Sequence, residues 1–163
     1  MDVLWAPWRM AYVSGAAQPA GCLFCSALAT ADDAKHGILH RAGTAFLILN
    51  AFPYASGHLM VATNRHVASP EDLDEGESLD LVRVTQRALA ALRAVYRPDG
   101  FNLGANLGRV AGAGIEGHLH LHVVPRWAGD TNFMPVVGGV KVIPESLEET
   151  FRRLRPRLAE QDG

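Results

Sequence analysis

Apolar residues gather in short blocks through the first third of the chain and at helical spacing later. Ala45–Ala51 (AFLILNA) and His58–Asn64 (HLMVATN) are brief apolar runs joined by the turn-rich Phe52-Pro-Tyr-Ala-Ser-Gly57, the pattern of two neighbouring antiparallel strands. Ser69-Pro70 with Asp72 has the form of a helix start, and the acidic stretch Glu71–Glu77 reads as a short helix or turn. From Ser78 onward Leu79, Val82, Leu89, Leu92 and Tyr96 recur at helical intervals and stop before Pro98, which predicts the main helix. A glycine- and alanine-rich loop leads to Gly117, and His118–Pro125 is bounded as a strand should be. Ser146 and Glu149 form a capping-box pattern ahead of Leu147, Phe151, Leu154 and Leu158, one stripe of a terminal helix. Strands interleaved with one long helix and a C-terminal helix favour an α+β domain with a mainly antiparallel sheet.

Composition narrows the class. The 163 residues, 48% hydrophobic and 20% charged, suit a single domain over 1–163 with its own core. Residues 1–21 mix Trp5, Trp8 and Tyr12 with Gly, Ala and Pro and suggest an irregular aromatic arm. A net charge of -2 and a pI near 6.4 provide no broad positive field, so nucleic acid is not an expected partner and a phosphate ligand must be held by local features. No apolar run approaches the length of a membrane span or follows a basic leader, so the expectation is a soluble, cytoplasmic protein. Two cysteines, Cys22 and Cys25, are too few and too close for a disulfide framework.

The candidate chemistry lies at His118, His120 and His122. Alternation along a strand sends all three imidazoles to one face and Leu119, Leu121 and Val123 to the other. A neutral imidazole offers a lone pair on one nitrogen, and a neighbouring carbonyl or histidine can accept the N–H of the other and fix the tautomer. Such a group suits nucleophilic attack on phosphorus. The competing views are polar residues on a solvent-facing strand, or ligands of a metal.

Upstream, the loop from Gly104 to Gly117 carries five glycines, at 104, 108, 112, 114 and 117. Its amides can approach an anion closely, though a plain flexible turn has the same composition. Cys22-Leu-Phe-Cys25 supplies two thiols at a spacing common in tetrahedral zinc sites, with His66 and one strand histidine as further donors. Free buried thiols or a redox pair compete with zinc, and His36 and His40 are alternative ligands or ordinary surface residues.

The run His118-Leu-His-Leu-His-Val-Val124 resembles the signature of the histidine triad (HIT) family, and the likeness extends through Asn50, Gly57-His58 and Asn102–Gly114, over roughly residues 22–126. The resemblance implies a HIT-like α+β half-barrel that dimerises through the long helix and a sheet edge. It implies His120 as the nucleophile, with His118, His122 and His58 completing the catalytic group, and substrate contacts at Asn50, Asn106, Gly112, Ala113 and Gly114. It also implies a structural zinc on Cys22, Cys25, His66 and His118. The start Trp5–Tyr12 and the tail Pro125–Pro135 look like bacterial members described as diadenosine tetraphosphate phosphorylases. Gly112-Ala-Gly-Ile115 departs from the Gln and Ser or Thr that many HIT hydrolases carry there, so backbone amides would have to replace those side-chain phosphate contacts.

The expected reaction is nucleotidyl transfer at the α-phosphate of an adenosine nucleotide through a covalent nucleotidyl-histidine. With inorganic phosphate as acceptor, diadenosine tetraphosphate gives ATP and ADP; with water, the protein is a hydrolase releasing AMP. Adenosine phosphoramidate hydrolysis and a nucleotide-binding module without turnover are the alternatives.

Overall fold

The computed structural model describes residues 21–130 and 143–160. The aromatic arm expected over 1–21 falls outside them except for Gly21, as does the part of the tail from 131 to 135. Two short helices open the described chain, α1 (Leu23–Leu28) and α2 (Asp33–His36). Strands β1 (Ile38–Arg41), β2 (Ala45–Leu49) and β3 (Leu59–Thr63) follow, then the long helix α3 (Glu75–Tyr96). Strands β4 (Gly100–Gly104) and β5 (His120–Arg126) and the helix α4 (Leu147–Ala159) complete it. The five strands form one sheet in the order β1-β2-β3-β5-β4, and every neighbouring pair is antiparallel. The expected α+β class and mainly antiparallel sheet are present.

β2 and β3 are buried throughout, which is why they read as continuous apolar runs rather than alternating ones. One face of the sheet packs Leu47, Leu49, Leu59, Val61 and Val123 against Val84, Ala88, Ala91 and Leu92 of α3 and Leu154 and Leu158 of α4. The opposite face gathers Phe46, Ile48, Met60 and Ala62 around Phe24 and Ala27 of α1. His120 pairs with Ala62 and His122 with Met60, so both lie on this second face, away from the long helices.

One boundary and the exposure of two helix positions differ from the sequence expectation. The long helix starts at Glu75, because Asp74 and Glu77 close a capping box: the Asp74 carboxylate accepts the Glu77 N–H at 2.8 Å and Glu77 accepts the Asp74 N–H at 3.0 Å. The Ser69-Pro70 signal starts a short 3-10 turn, Pro70–Asp72, in line with the short helix or turn expected there. Leu79 and Val82, expected with the other helical positions on one stripe, are 46% and 54% exposed, because α3 carries a second apolar stripe pointing away from the sheet. At the terminal helix Ser146 caps as expected, accepting the Glu149 N–H at 3.2 Å.

Candidate active site and metal centre

The last turn before β5 and the strand itself carry the triad. His118 precedes β5, whose first paired residue is His120. Its backbone carbonyl accepts a hydrogen bond from His120 Nδ1 at 2.8 Å. An imidazole that donates from Nδ1 keeps its lone pair on Nε2, the form a nucleophile needs. His120 is 6% exposed, and burial lowers its pKa below the ordinary 6.5 against the opposing pull of that hydrogen bond, so the ring is held neutral.

His58 and His122 form a second constellation. His58 Nε2 lies 3.0 Å from His122 Nδ1, and the Tyr54 N–H donates to His58 Nδ1 at 3.0 Å. The rings of His120 and His122 sit 5.1 Å apart, and the Tyr54 ring stands 4.6 Å from His58 and 5.9 Å from His122. The turn that delivers His58 depends on Gly57, at φ 76°, where a Cβ would come within 2.9 Å of Leu92 Cδ2 and 3.3 Å of Tyr96. Asn50 stands beside the pair: its Oδ1 accepts the Phe52 N–H at 2.8 Å, and its Nδ2 lies 3.4 Å from His58 Nε2.

The first triad histidine turns the other way. His118 Nε2 donates to the Thr63 carbonyl at 2.6 Å, which aims its Nδ1 lone pair at Cys22 Sγ, 3.3 Å away, and Cys25 Sγ, 3.6 Å away. His66 Nδ1 is 3.4 Å from Cys25 Sγ, and the four donor atoms all lie within 4.8 Å of one another. Zinc–sulfur bonds of about 2.3 Å and zinc–nitrogen bonds of about 2.0–2.1 Å at tetrahedral angles put such S and N donors about 3.6 Å apart, close to these separations. An imidazole whose other nitrogen is held by a backbone carbonyl is also the usual second shell of a metal-bound histidine. Two thiols and two imidazoles in this arrangement can hold a metal ion. Burial and the adjacent Cys22 raise the Cys25 thiol's pKa, a pairing that a divalent cation would relieve.

Local structure explains how these donors meet. Cys22 is the N-cap of α1 and Cys25 lies in its first turn, so both thiols leave the same end of the helix. Arg41 holds the other end by donating to the carbonyls of Leu28 and Thr30 at 3.1 and 2.8 Å. Arg65 grips Glu77 at 2.8 and 2.6 Å and the Asp72 carbonyl at 2.7 Å, fixing the loop that presents His66. At Gly117 a Cβ would lie 3.1 Å from His66 Nε2, so the absence of a side chain lets His66 close on the cluster. His36 and His40 are not among the four donors.

Phe24 went unnoticed in the sequence. It is fully buried, with its ring 5.1 Å from both the His118 and His120 rings and 6.0 Å from Phe46. The signal was an aromatic residue inside the C-x-x-C segment: the turn that brings two thiols to His118 also wedges a ring beside His120. The glycine-rich loop is less open than its composition suggests. The Gly112 N–H donates to the Arg109 carbonyl at 2.9 Å, the Ala113 N–H to the Gly108 carbonyl at 3.2 Å, and Asn106 Nδ2 reaches the Gly112 carbonyl at 3.5 Å. Two amides expected to face phosphate therefore close the loop on itself.

A family model described as the HIT domain matches residues 33–129. This chain belongs to the HIT family. The HIT protein is 41% identical over 97% of its length to a Mycobacterium tuberculosis protein named AP-4-A phosphorylase, covering 85% of that relative. It is 32% identical over 87% of its length to an uncharacterized HIT-like protein of the same organism, covering 96% of it. Among solved structures, a zinc-bound histidine triad family protein from Mycobacterium smegmatis superposes with a TM-score of 0.70 at 29% identity, over 87% of this chain and 96% of that one.

Proposed function

We propose that this HIT protein is a nucleotidyltransferase that cleaves diadenosine tetraphosphate with inorganic phosphate, giving ATP and ADP. The observation that carries the chemistry is the His120 Nδ1 bond to the His118 carbonyl, which leaves Nε2 as a neutral, buried nucleophile. His120 attacks the α-phosphorus of one adenylyl group and displaces ATP, His122 donates a hydrogen bond to the phosphates, and His58 orients His122. Phosphate then attacks the adenylyl-histidine and releases ADP. Dividing the transfer into two displacements makes each one a reaction between pre-positioned groups. Asn50, beside His58, is the proposed ribose contact, and Asn106 and Gly114 are the proposed phosphate contacts, the Gly112 and Ala113 amides being used to close the loop. The 41% identity to the phosphorylase of M. tuberculosis supports this acceptor and substrate.

Cys22, Cys25, His66 and His118 would hold zinc as a closed structural site, tying α1 and the His66 loop to the start of β5. Among the described residues no helix is long and apolar enough to cross a membrane, in keeping with a proposed cytoplasmic enzyme. The outward stripe of α3 and the edge strand β4 are the proposed homodimer contact.

The deciding experiment incubates the protein with diadenosine tetraphosphate, with and without phosphate, and identifies the nucleotides formed, with metal content measured on the same preparation. ATP plus ADP only when phosphate is present is the expected result, together with near-stoichiometric zinc. AMP formed without phosphate would make the protein a hydrolase, and absence of any turnover would leave nucleotide binding alone.

A further inference from the structure

Granted the adenylyl transfer proposed above, the part of the substrate beyond the attacked phosphorus still needs a partner. A dinucleoside polyphosphate carries a negative charge on each phosphate, and a chain of net charge -2 and pI near 6.4 offers it no general positive field, so a local cation has to meet it. The loop between β4 and β5 is placed to supply one. It leaves the sheet at Gly104, the register partner of His122, and returns through Gly117 to His118. Ile115, on the returning arm, packs against the cluster of Phe24, Phe46 and Met60, on the sheet face that carries His120. The loop is braced: the Gly112 and Ala113 amides donate to the Arg109 and Gly108 carbonyls, so those two donors are turned inward, and Gly112-Ala-Gly-Ile115 brings no side-chain donor in their place. Its one basic residue is Arg109 and its one acid is Glu116. Arg109 Nε donates to Glu116 Oε1 at 2.7 Å, a bond that joins the outgoing arm of the loop to the returning arm two residues before His118. That contact uses the Nε hydrogen and leaves Nη1 and Nη2, the outer edge of the guanidinium, as a fork that phosphate oxygens fit. With side chains 87% and 43% exposed, the pair is weak in water, so Glu116 aims the guanidinium without tying it down.

We propose that Arg109 is a specificity-determining residue that binds the phosphates on the leaving-group side of the scissile bond, so the enzyme selects donors whose leaving group is itself a polyphosphate. A guanidinium keeps its proton in a protein, so the charge is present at every working pH. The phosphates beyond the scissile bond are what distinguish a dinucleoside polyphosphate from a simple ester of AMP. Each additional one offers the fork another set of oxygens, and the contribution of Arg109 therefore grows with the number of phosphates in the leaving group.

The test compares the wild type with Arg109→Gln in single-turnover adenylylation by diadenosine tetraphosphate, diadenosine triphosphate and the p-nitrophenyl ester of AMP, whose leaving group has no phosphate. The substitution should lower the second-order rate constant for the tetraphosphate at least about tenfold more than that for the ester, the worth of one charge-assisted hydrogen bond, with the triphosphate in between. Arg109→Glu, which adds repulsion, should widen the gap. An equal loss on all three donors, or no loss, would overturn the proposal and leave the covalent mechanism standing, whereas no labelling of the wild type by any donor would remove the mechanism and the proposal with it. Equilibrium binding separates recognition from a change in loop structure: ATP, the nucleotide that departs, should bind Arg109→Gln at least about tenfold more weakly than the wild type, and an unchanged ATP affinity contradicts the assignment.

Discussion

His118 faces two ways. Its Nδ1 points at Cys22 and Cys25, and its carbonyl, 2.8 Å from His120 Nδ1, sets the tautomer of the proposed nucleophile. In the proposed mechanism metal donor and catalytic orienter are one residue, and the second role belongs to the backbone, so no side-chain substitution at 118 isolates it. His120 is where a substitution is decisive. His120→Ala should abolish the acid-labile adenylyl-protein and lower kcat/KM for diadenosine tetraphosphate by at least roughly a thousandfold, because the remaining groups only orient and solvate the substrate. Mass spectrometry of rapidly quenched protein checks it, and near-normal turnover in the variant would rule His120 out as nucleophile. That three alternating histidines share one strand face was legible in the sequence, since alternation is a property of the extended backbone. Their division of labour was not, because it is set by partners 55 to 96 positions away: Thr63 and the cysteines for His118, His58 for His122.

Two element-level features set the site's precision. The β2–β3 connection delivers His58 through Gly57, whose positive φ and contact with α3 exclude a side chain. Gly57→Ala should cost about 2 kcal/mol, from the strained backbone and the overlap with Leu92. Its activity should fall further than its stability, because the displaced turn pulls Tyr54 and His58 off His122. Thermal melts set beside kcat measured well below the melting temperature separate the two losses. The second feature is the α3 cap. Hydrogen bonds from Arg65 first, then from the Asp74 amide, hold the Glu77 carboxyl at about 2, against the opposing effect of burial. A carboxyl held below its ordinary 4.5 contributes stability that is complete above about pH 4.5 and is lost as the pH falls toward 2. Glu77→Gln should therefore lower the melting temperature at pH 7 and flatten the acid limb of a melting-temperature profile between those limits; an unchanged limb would show that Glu77 is not linked to folding. Strands β2, β3 and β5, the long helix and the terminal helix could be read from periodicity and caps, whereas the edge strands β1 and β4 were not read. The start of α3 was placed three residues late, at Ser78, because the apolar periodicity begins only at Leu79 while the helix is started by the polar capping box of Asp74 and Glu77.

At the scale of the whole molecule, one sheet separates two tasks. The face toward α3 and α4 is a mainly aliphatic core, and the opposite face carries His120, the His58–His122 pair and the Cys22–Cys25–His66–His118 cluster. Leu79 and Val82 on α3, and Leu103 on the sheet-edge strand β4, remain 46%, 54% and 49% exposed, an apolar surface outside both. If this surface forms the proposed homodimer, light scattering should give twice the chain mass for the wild type, and Val82→Asp with Leu103→Asp should shift it to the monomer while the fold persists. A monomeric wild type would refute the dimer. The sequence by itself determined the α+β class, the strand that carries the alternating histidines and the set of reactive residue types, because periodicity, capping and motif spacing are local. Only the tertiary structure decided which histidine meets the two thiols, which nitrogen of His118 and of His120 bears the hydrogen, and which stripe of the long helix is buried. Those outcomes depend on hydrogen-bond partners and packing surfaces that distant segments bring together, and no local pattern specifies them.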